Sequence, residues 1–213
     1  MNYTLISQKE IMMKRQPLMH DRVFDKPEFA GKYAKKHESM ERKLGRSVIG
    51  RDLKNRGFEK GRILDNGCGP GFMLLELVKL FPGSEGVGID LAEPLLKIGE
   101  QAAATENLSD YVKFETVNVE SLPYEDNSFD CVVSTNMLHI VENPVAQLNE
   151  IERVLKTDGL MFIADIKRSW LISLFEKVSK SAFTMNEASE IFAKSNIRKG
   201  KMGDGFIWWE YKA

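Results

Sequence analysis

Short apolar runs alternate with amphipathic stretches through the middle of the chain. Five of the runs have the length and the residue types of buried strands, and turns or helical patterns separate them. We predict strands at 63–65, 86–90, 112–117, 129–134 and 160–166, and helices at 72–81, 93–104 and from 144 to 155. This alternation predicts an α/β fold in which helices cover both faces of a doubly wound, mostly parallel sheet.

The pattern changes near the carboxyl terminus. Residues 170–178 have a helical pattern, and Thr184 with Glu187 three positions later forms a capping box for a helix that ends at Ala193. Residues 197–202 and 206–211 predict two strands joined by the turn 203–205. We therefore expect a C-terminal antiparallel hairpin after five parallel strands.

The first part of the chain has no strand pattern. Residues 1–27 carry scattered charges and two prolines, which predicts loose order. Over 28–56, apolar or aromatic positions recur every three or four residues and predict a helical stripe, with Gly45 and Gly50 as possible breaks. The members of this stripe are Phe29, Tyr33, His37, Met40, Leu44 and Val48. We expect 1–57 to supply a tail and helices that cover the site, and 58–213 to form the core of a single domain.

The composition limits which binding partners and which cellular compartment we expect. The chain has 213 residues and a net charge of −1, so bulk charge gives no reason to expect DNA, RNA or a membrane as partner. The basic stretch 194–201 is explained by a solvated helix end and strand. Lys9, Lys14 and Arg15 interrupt any signal-like apolar run. With only two cysteines, the sequence favours a reduced, cytoplasmic protein.

The segment 62–71, RILDNGCGPG, carries the strongest chemical signal. An apolar strand ends in an acid, and Gly67, Gly69 and Gly71 lead into an apolar helix. This arrangement is typical of a nucleotide-type ligand that lies across a strand end, where glycine allows close approach and positive φ. A dinucleotide fingerprint would need a third glycine at the position of Phe72. The sequence of the loop, DxGCGxG, resembles the first motif of class I S-adenosylmethionine (SAM)-dependent methyltransferases.

Further segments follow in the order expected for that family. Residues 118–124, NVESLPY, resemble the family's D-A-x-x-L-P-F segment, with Asn118 in place of the acid. Residues 134–139 resemble its S-x-x-x-L-H segment, and 153–159 resemble its R-V-L-K-P-G-G turn. The resemblance covers roughly 61–166 and is nearest to the type 11 and ubiquinone- or menaquinone-biosynthesis-like methyltransferases. It implies a Rossmann-like sheet.

The resemblance also implies roles for individual residues. Asp90 ends the second strand about 20 residues after the loop, where an acid accepts hydrogen bonds from ribose hydroxyls. Leu91 would contact adenine, Asn118 would accept from its amino group, and Val119 would donate its backbone N–H. The residues expected at the methionine end of SAM are Asp65 for its amino group, Gly67, Cys68, Gly69 and Ser134 through the backbone, and Tyr33 as a lid.

The implied activity is SAM-dependent methyl transfer to a small-molecule acceptor by direct displacement. Such a reaction depends on positioning more than on covalent chemistry, so we expect few indispensable catalytic side chains. If a base is needed, His139, Asp165 and Lys167 are the candidates near strand ends. We expect no metal ion. The acceptor and the choice between monomer and homodimer stay open.

Two alternatives also stay open. One is a SAM-binding regulatory module without turnover, which the replacement of the acid by Asn118 makes reasonable. The other is an NAD-dependent oxidoreductase that uses the same ribose acid, which Phe72 and the Leu-Pro-Tyr segment oppose.

Overall fold

A single seven-stranded sheet organises the protein in the computed structural model, which describes residues 23–168 and 180–213. The strand order is β3-β2-β1-β4-β5-β7-β6. The strands are β1 Arg62–Asn66, β2 Glu85–Asp90, β3 Val112–Thr116, β4 Phe129–Thr135, β5 Leu155–Ile166, β6 Lys201–Asp204 and β7 Trp208–Lys212. Strands β1 to β5 are parallel, and β7 lies antiparallel between β5 and β6. The predicted doubly wound α/β sheet with an antiparallel end is confirmed.

Helices cover both faces of this sheet. They are α1 Pro27–Leu44, α2 Gly50–Asn55, α3 Phe72–Leu80, α4 Glu93–Thr105, α5 Pro144–Val154 and α6 Met185–Lys194. A 3-10 turn, Val23–Asp25, precedes α1, and a π-helical turn, Gly45–Ile49, joins α1 to α2. Asn143 caps α5 by accepting from the Ala146 N–H, and the predicted capping box of Thr184 and Glu187 at α6 is confirmed. No described helix has both the length and the hydropathy needed to cross a membrane.

The core has two halves, one on each face of the sheet. Neighbouring residues of a strand point to opposite faces, so Ile63 packs with Leu53 and Leu74, whereas Leu64 packs with the cluster of α5 and α6. Both residues are fully buried. This packing fixes the register of β1, in which Asp65 lies beside Gly88 of β2 and Val133 of β4. The carboxyl ends of the parallel strands therefore meet at one edge.

Several boundaries differ from the predictions, and the first hairpin strand, predicted from residue 197, begins at Lys201. The fifth strand begins at Leu155 and not at residue 160, because the segment predicted as a turn stays in the sheet through a bulge opposite Phe129 and Cys131. The hairpin turn lies at 205–207, so Gly203 and Asp204 belong to β6. The predictions for residues 1–22 and for a helix at 170–178 lie outside the described residues.

The predicted stripe of the N-terminal helix forms one face of α1, but it is not the buried face. Phe29, Met40 and Val48 are exposed, and the residues buried along this segment are Ala30, Ala34, Gly45, Ile49, Gly50 and Leu53. The reason is close packing on α3: a Cβ at Gly45 would lie 2.7 Å from the Met73 carbonyl oxygen. The two glycines do not interrupt the helical path, since they begin the π-helical turn and α2.

A buried amide pair joins β1 to α5. Gln147 Nε2 donates to Asn66 Oδ1 at 2.7 Å and to Ser134 Oγ at 3.3 Å, and all three residues are buried. We expect Gln147→Leu to destabilise the protein by about 2 kcal/mol, because Asn66 would keep a buried amide without its partner. Thermal unfolding followed by circular dichroism should show a melting temperature lower by roughly 4–8 °C. Gln101→Leu, on the exposed side of α4, is the control. Equal melting temperatures for the two variants would contradict this expectation.

Candidate functional site

The glycine loop between β1 and α3 forms the floor of the candidate site. The N–H groups of Gly67 and Cys68 both donate to the Ile89 carbonyl, at 2.9 and 2.8 Å, which holds the loop against β2. Gly69 has a φ of 54°, and a Cβ there would meet nothing within 4 Å. Gly67 has a φ of 86°, and its missing side chain leaves room for Met137. The loop therefore offers open space at Gly69 beside exposed backbone.

Asp65 lies at the base of this loop. Its side chain is fully buried, and neither carboxylate oxygen has a hydrogen-bond partner among the described residues. Burial raises the pKa of Asp65 well above its usual range, and the nearby carboxylates of Glu41 and Asp90 raise it further. A buried acid without donors is costly, so this site is prepared for a donor or a cation that the chain itself does not supply.

Asp90 connects the loop to the next helix. Its Oδ2 accepts from the Gly69 N–H at 3.0 Å, and its Oδ1 accepts from the Ala92 N–H at 2.9 Å. Burial raises the pKa of Asp90, while these backbone donors oppose the rise. Each carboxylate oxygen has a second lone pair and can still accept from a hydroxyl. Leu91, next to it, is 56% exposed and available to a ligand.

The loop after β3 is held by its own side chains. Asn118 Oδ1 accepts from the Glu120 N–H at 3.0 Å, and Val119 is buried. Glu120 Oε1 in turn accepts from the N–H groups of Glu142 and Asn143. Glu120 therefore ties this loop to the start of α5, so it is not free to replace the acid that the sequence lacks at Asn118.

The end of β4 and its following loop close another side of the site. The Ser134 hydroxyl donates to the Asn66 carbonyl at 2.8 Å, so its side chain links β4 to β1. Met137 packs on Gly67. Neither Met137 nor the amide pair of Asn66 and Gln147 was predicted from the sequence.

Two of the three candidate bases form a buried pair. His139 Nδ1 lies 2.6 Å from Asp165 Oδ1, and Asp165 Oδ2 accepts from the His139 backbone N–H at 3.0 Å. Asp165 also accepts from the Ile166 N–H, so its carboxylate serves to hold His139. Lys167 is not brought to this pair: its Nζ donates to Asp204 Oδ1 and the Gly205 carbonyl of the hairpin.

Helix α1 brings aromatic and acidic side chains to the site. Tyr33 stacks on His37 with ring centroids 4.4 Å apart, and the edge of Phe24 lies 4.9 Å away. Burial raises the pKa of Tyr33 to about 12, with further increases from Glu41 and Asp90. The sequence prediction missed Glu41. Its spacing of eight residues from Tyr33 places both on the same side of a helix, but this spacing alone does not indicate that α1 crosses the site.

The groups present fit an adenosyl sulfonium ligand. There is open space at Gly69, the Gly69 N–H bonds the Asp90 carboxylate, and Asp65 near the end of β1 has unpartnered buried oxygens. No set of three or more acidic, histidine or cysteine side chains in 23–168 and 180–213 could hold a metal ion. In the basic stretch, Arg198 is used internally, since it bonds Glu152 and the Lys156 and Thr157 carbonyls.

Comparisons with known proteins place most of the chain in one family. The model of a family described as "Methyltransferase domain" matches residues 58–206. The chain is similar to the ubiquinone biosynthesis O-methyltransferase of Bartonella tribocorum, with 32% identity over 53% of the chain and 44% of the relative. It is also similar to the demethylmenaquinone methyltransferase of Staphylococcus aureus, with 35% identity over 68% of the chain and 60% of the relative.

A solved structure supports the fold. A SAM-dependent methyltransferase from Aquifex aeolicus superposes with a TM-score of 0.71 at 22% identity, covering 88% of this chain and 97% of the other. The present chain spans between about two fifths and three fifths of the length of the curated relatives that it matches.

Proposed function

The chain belongs to the methyltransferase-domain family, and from this premise we propose that it is a SAM-dependent methyltransferase acting on a small-molecule acceptor. This membership confirms the resemblance drawn from the motifs. The observation that carries the proposal is Asp65, a buried carboxylate without donors beneath the open space at Gly69. When bound, SAM supplies a methyl group that its sulfonium has already activated for direct displacement.

The residues of the chain then act by binding and positioning. Asp65 receives the amino group, and Asp90 receives the ribose hydroxyls. Leu91, Asn118 and Val119 form the adenine end. The remaining residues of the proposed cofactor site are Gly67, Cys68, Gly69 and Ser134, through their backbone, and Tyr33 as a lid from α1.

Residues 1–57 are proposed to cover the site and select the acceptor, while 58–213 form the cofactor-binding core. The two curated relatives are named for the biosynthesis of ubiquinone and the methylation of demethylmenaquinone, which supports quinone precursors as the first acceptors to test. His139, oriented by Asp165, is the proposed base for an acceptor that must lose a proton.

The cellular setting belongs to the same proposal. Cys68 and Cys131 are both buried and free, which supports a cytoplasmic protein. We propose that it works as a monomer or homodimer and that its partner is a small molecule rather than DNA, RNA or a membrane.

Cofactor binding gives the first test. SAM or its demethylated product S-adenosylhomocysteine (SAH), at about 100 times its Kd, should stabilise the protein by about 2.7 kcal/mol. The melting temperature should therefore rise by roughly 5–10 °C in a thermal shift assay. NADH is the control ligand, since Phe72 is buried where a dinucleotide loop needs glycine. No rise with millimolar SAM or SAH, or a rise with NADH alone, would reject the proposal.

A SAM-binding module without turnover is the second candidate. One observation favours it: Asp165 and Lys167, two of the candidate bases, are already engaged inside the protein. Incubation with SAM and a panel of phenols, hydroquinones and quinone precursors separates the candidates. Mass spectrometry that detects one added methyl group on any acceptor rejects the module without turnover.

A further inference from the structure

Helix α1 passes over the glycine loop through a close helix contact. Gly45 packs on the Met73 backbone in the first turn of α3, which begins directly after the loop. Glu41 lies one helical turn before Gly45, on the same side of α1. This crossing therefore places Glu41 above the loop in which Asp65, Gly69 and Asp90 meet.

The carboxylate of Glu41 is not neutralised by its neighbour. Its Oε2 is buried and has no hydrogen-bond partner among the described residues. The adjacent Arg42 is used on the other side of the helix, where its guanidinium donates to Glu38, Glu76 and Glu106 at 3.0, 2.9 and 2.6 Å. Glu41 thus retains an acceptor that the protein has not used.

Glu41 and Asp65 act on one another. Among the charges that raise the pKa of Asp65, Glu41 has the largest effect, ahead of Asp90. Burial raises the pKa of Glu41 itself to about 8, against a smaller opposing effect of Arg42. The charged forms of these two desolvated acids repel each other, and a cation bound near both removes this repulsion.

We propose that Glu41 is a second carboxylate that binds the ammonium group at the methionine end of the cofactor, opposite Asp65. The inference rests on the proposed function and adds to it a residue outside 58–206, the segment that the family model matches. It assigns a function to α1, because the bound cofactor then contacts both this N-terminal helix and the core. Tyr33, two turns before Glu41, lies on the same side of the helix.

The test compares two ligands that differ at the ammonium end. SAH carries the amino acid portion of the cofactor, and 5′-methylthioadenosine lacks it. We expect Glu41→Gln to raise the Kd for SAH about tenfold in isothermal titration calorimetry. The Kd for 5′-methylthioadenosine should stay within about twofold of the wild type. Glu28→Gln, at the exposed start of α1, is the matched control and should change neither Kd.

The thermal stability of the variant distinguishes a role of Glu41 in binding from a purely structural role. Because Glu41→Gln removes a buried acid without a donor, whose ionisation folding makes unfavourable, the ligand-free variant should melt at or above the wild-type temperature. A lower melting temperature, an unchanged Kd for SAH, or equal losses for both ligands would overturn the inference. Wild-type protein that binds neither ligand would overturn the proposed function itself, and the inference with it.

Discussion

Asp65→Asn is expected to stabilise the ligand-free protein while it lowers the affinity for SAH by about 100-fold. The substitution keeps the shape of the side chain but removes a buried acid that has no donor and whose ionised form is desolvated. At neutral pH the gain should be about 2 kcal/mol, or roughly 4–8 °C in melting temperature. The loss of affinity follows because an amide cannot neutralise the cofactor's ammonium group. Differential scanning fluorimetry and calorimetric titration measure the two effects.

The same acids predict how stability depends on pH. Burial raises the pKa of both Asp65 and Glu41 above the values of the unfolded chain. Their contribution to stability is complete below those unfolded values and is lost as pH rises through the folded ones, about 8 for Glu41. The wild-type melting temperature should therefore fall relative to Glu41→Gln as pH rises from about 5 to about 8.

Asp130→Asn is a control for which we expect the opposite change in stability. Asp130 lies at the start of β4, and its carboxylate accepts from the Arg62 N–H and from Lys156, which hold its pKa below the usual range despite partial burial. Its loss should destabilise the protein and leave the Kd for SAH unchanged. If Asp65→Asn also destabilised the ligand-free protein, Asp65 would have a structural role in place of the proposed one.

Local signals explain why much of the fold was predictable. The strand, glycine turn and helix from Arg62 to Leu80 need only apolar periodicity and glycine spacing, and the structure follows them closely. The capping box at Thr184 and Glu187 is equally local. Pairing among distant segments carries no such signal, so the turn expected before residue 160 proved to be part of a long, bulged strand.

The part of the candidate site that a single loop forms was predictable from the sequence. The part that forms where separate elements meet was not. The Gly67 N–H donates to the Ile89 carbonyl and the Gly69 N–H to the Asp90 carboxylate, contacts that the motif spacing already implies. Glu41 depends on how α1 crosses α3, which is set by the small residue Gly45 and not by the apolar stripe. An amphipathic pattern identified the helix, but not its most deeply buried residues, because close helix packing favours glycine and alanine over large apolar residues.

Gly69→Ala is expected to raise the Kd for SAH roughly 50-fold with little loss of stability. The loss of affinity follows because overpacking by a methyl group costs about 1–3 kcal/mol where the space is filled. In the free protein the new Cβ would meet nothing within 4 Å. The Gly69 N–H can still donate to Asp90. The methyl group would instead occupy the space proposed for the cofactor. Calorimetric titration with SAH measures the loss.

The control variant Gly57→Ala distinguishes steric exclusion of the cofactor from the effect of backbone strain. Gly57 also has a positive φ, 88°, and an added Cβ there would likewise meet nothing within 4 Å, but it lies in the exposed turn before β1. Both variants carry the same kind of strain, about 1 kcal/mol, so their melting temperatures should be similar. Only Gly69→Ala should lose affinity. Equal affinity in the two variants would mean that the space beside Gly69 is not where the cofactor lies, because a methyl group cannot share that volume with a bound ligand.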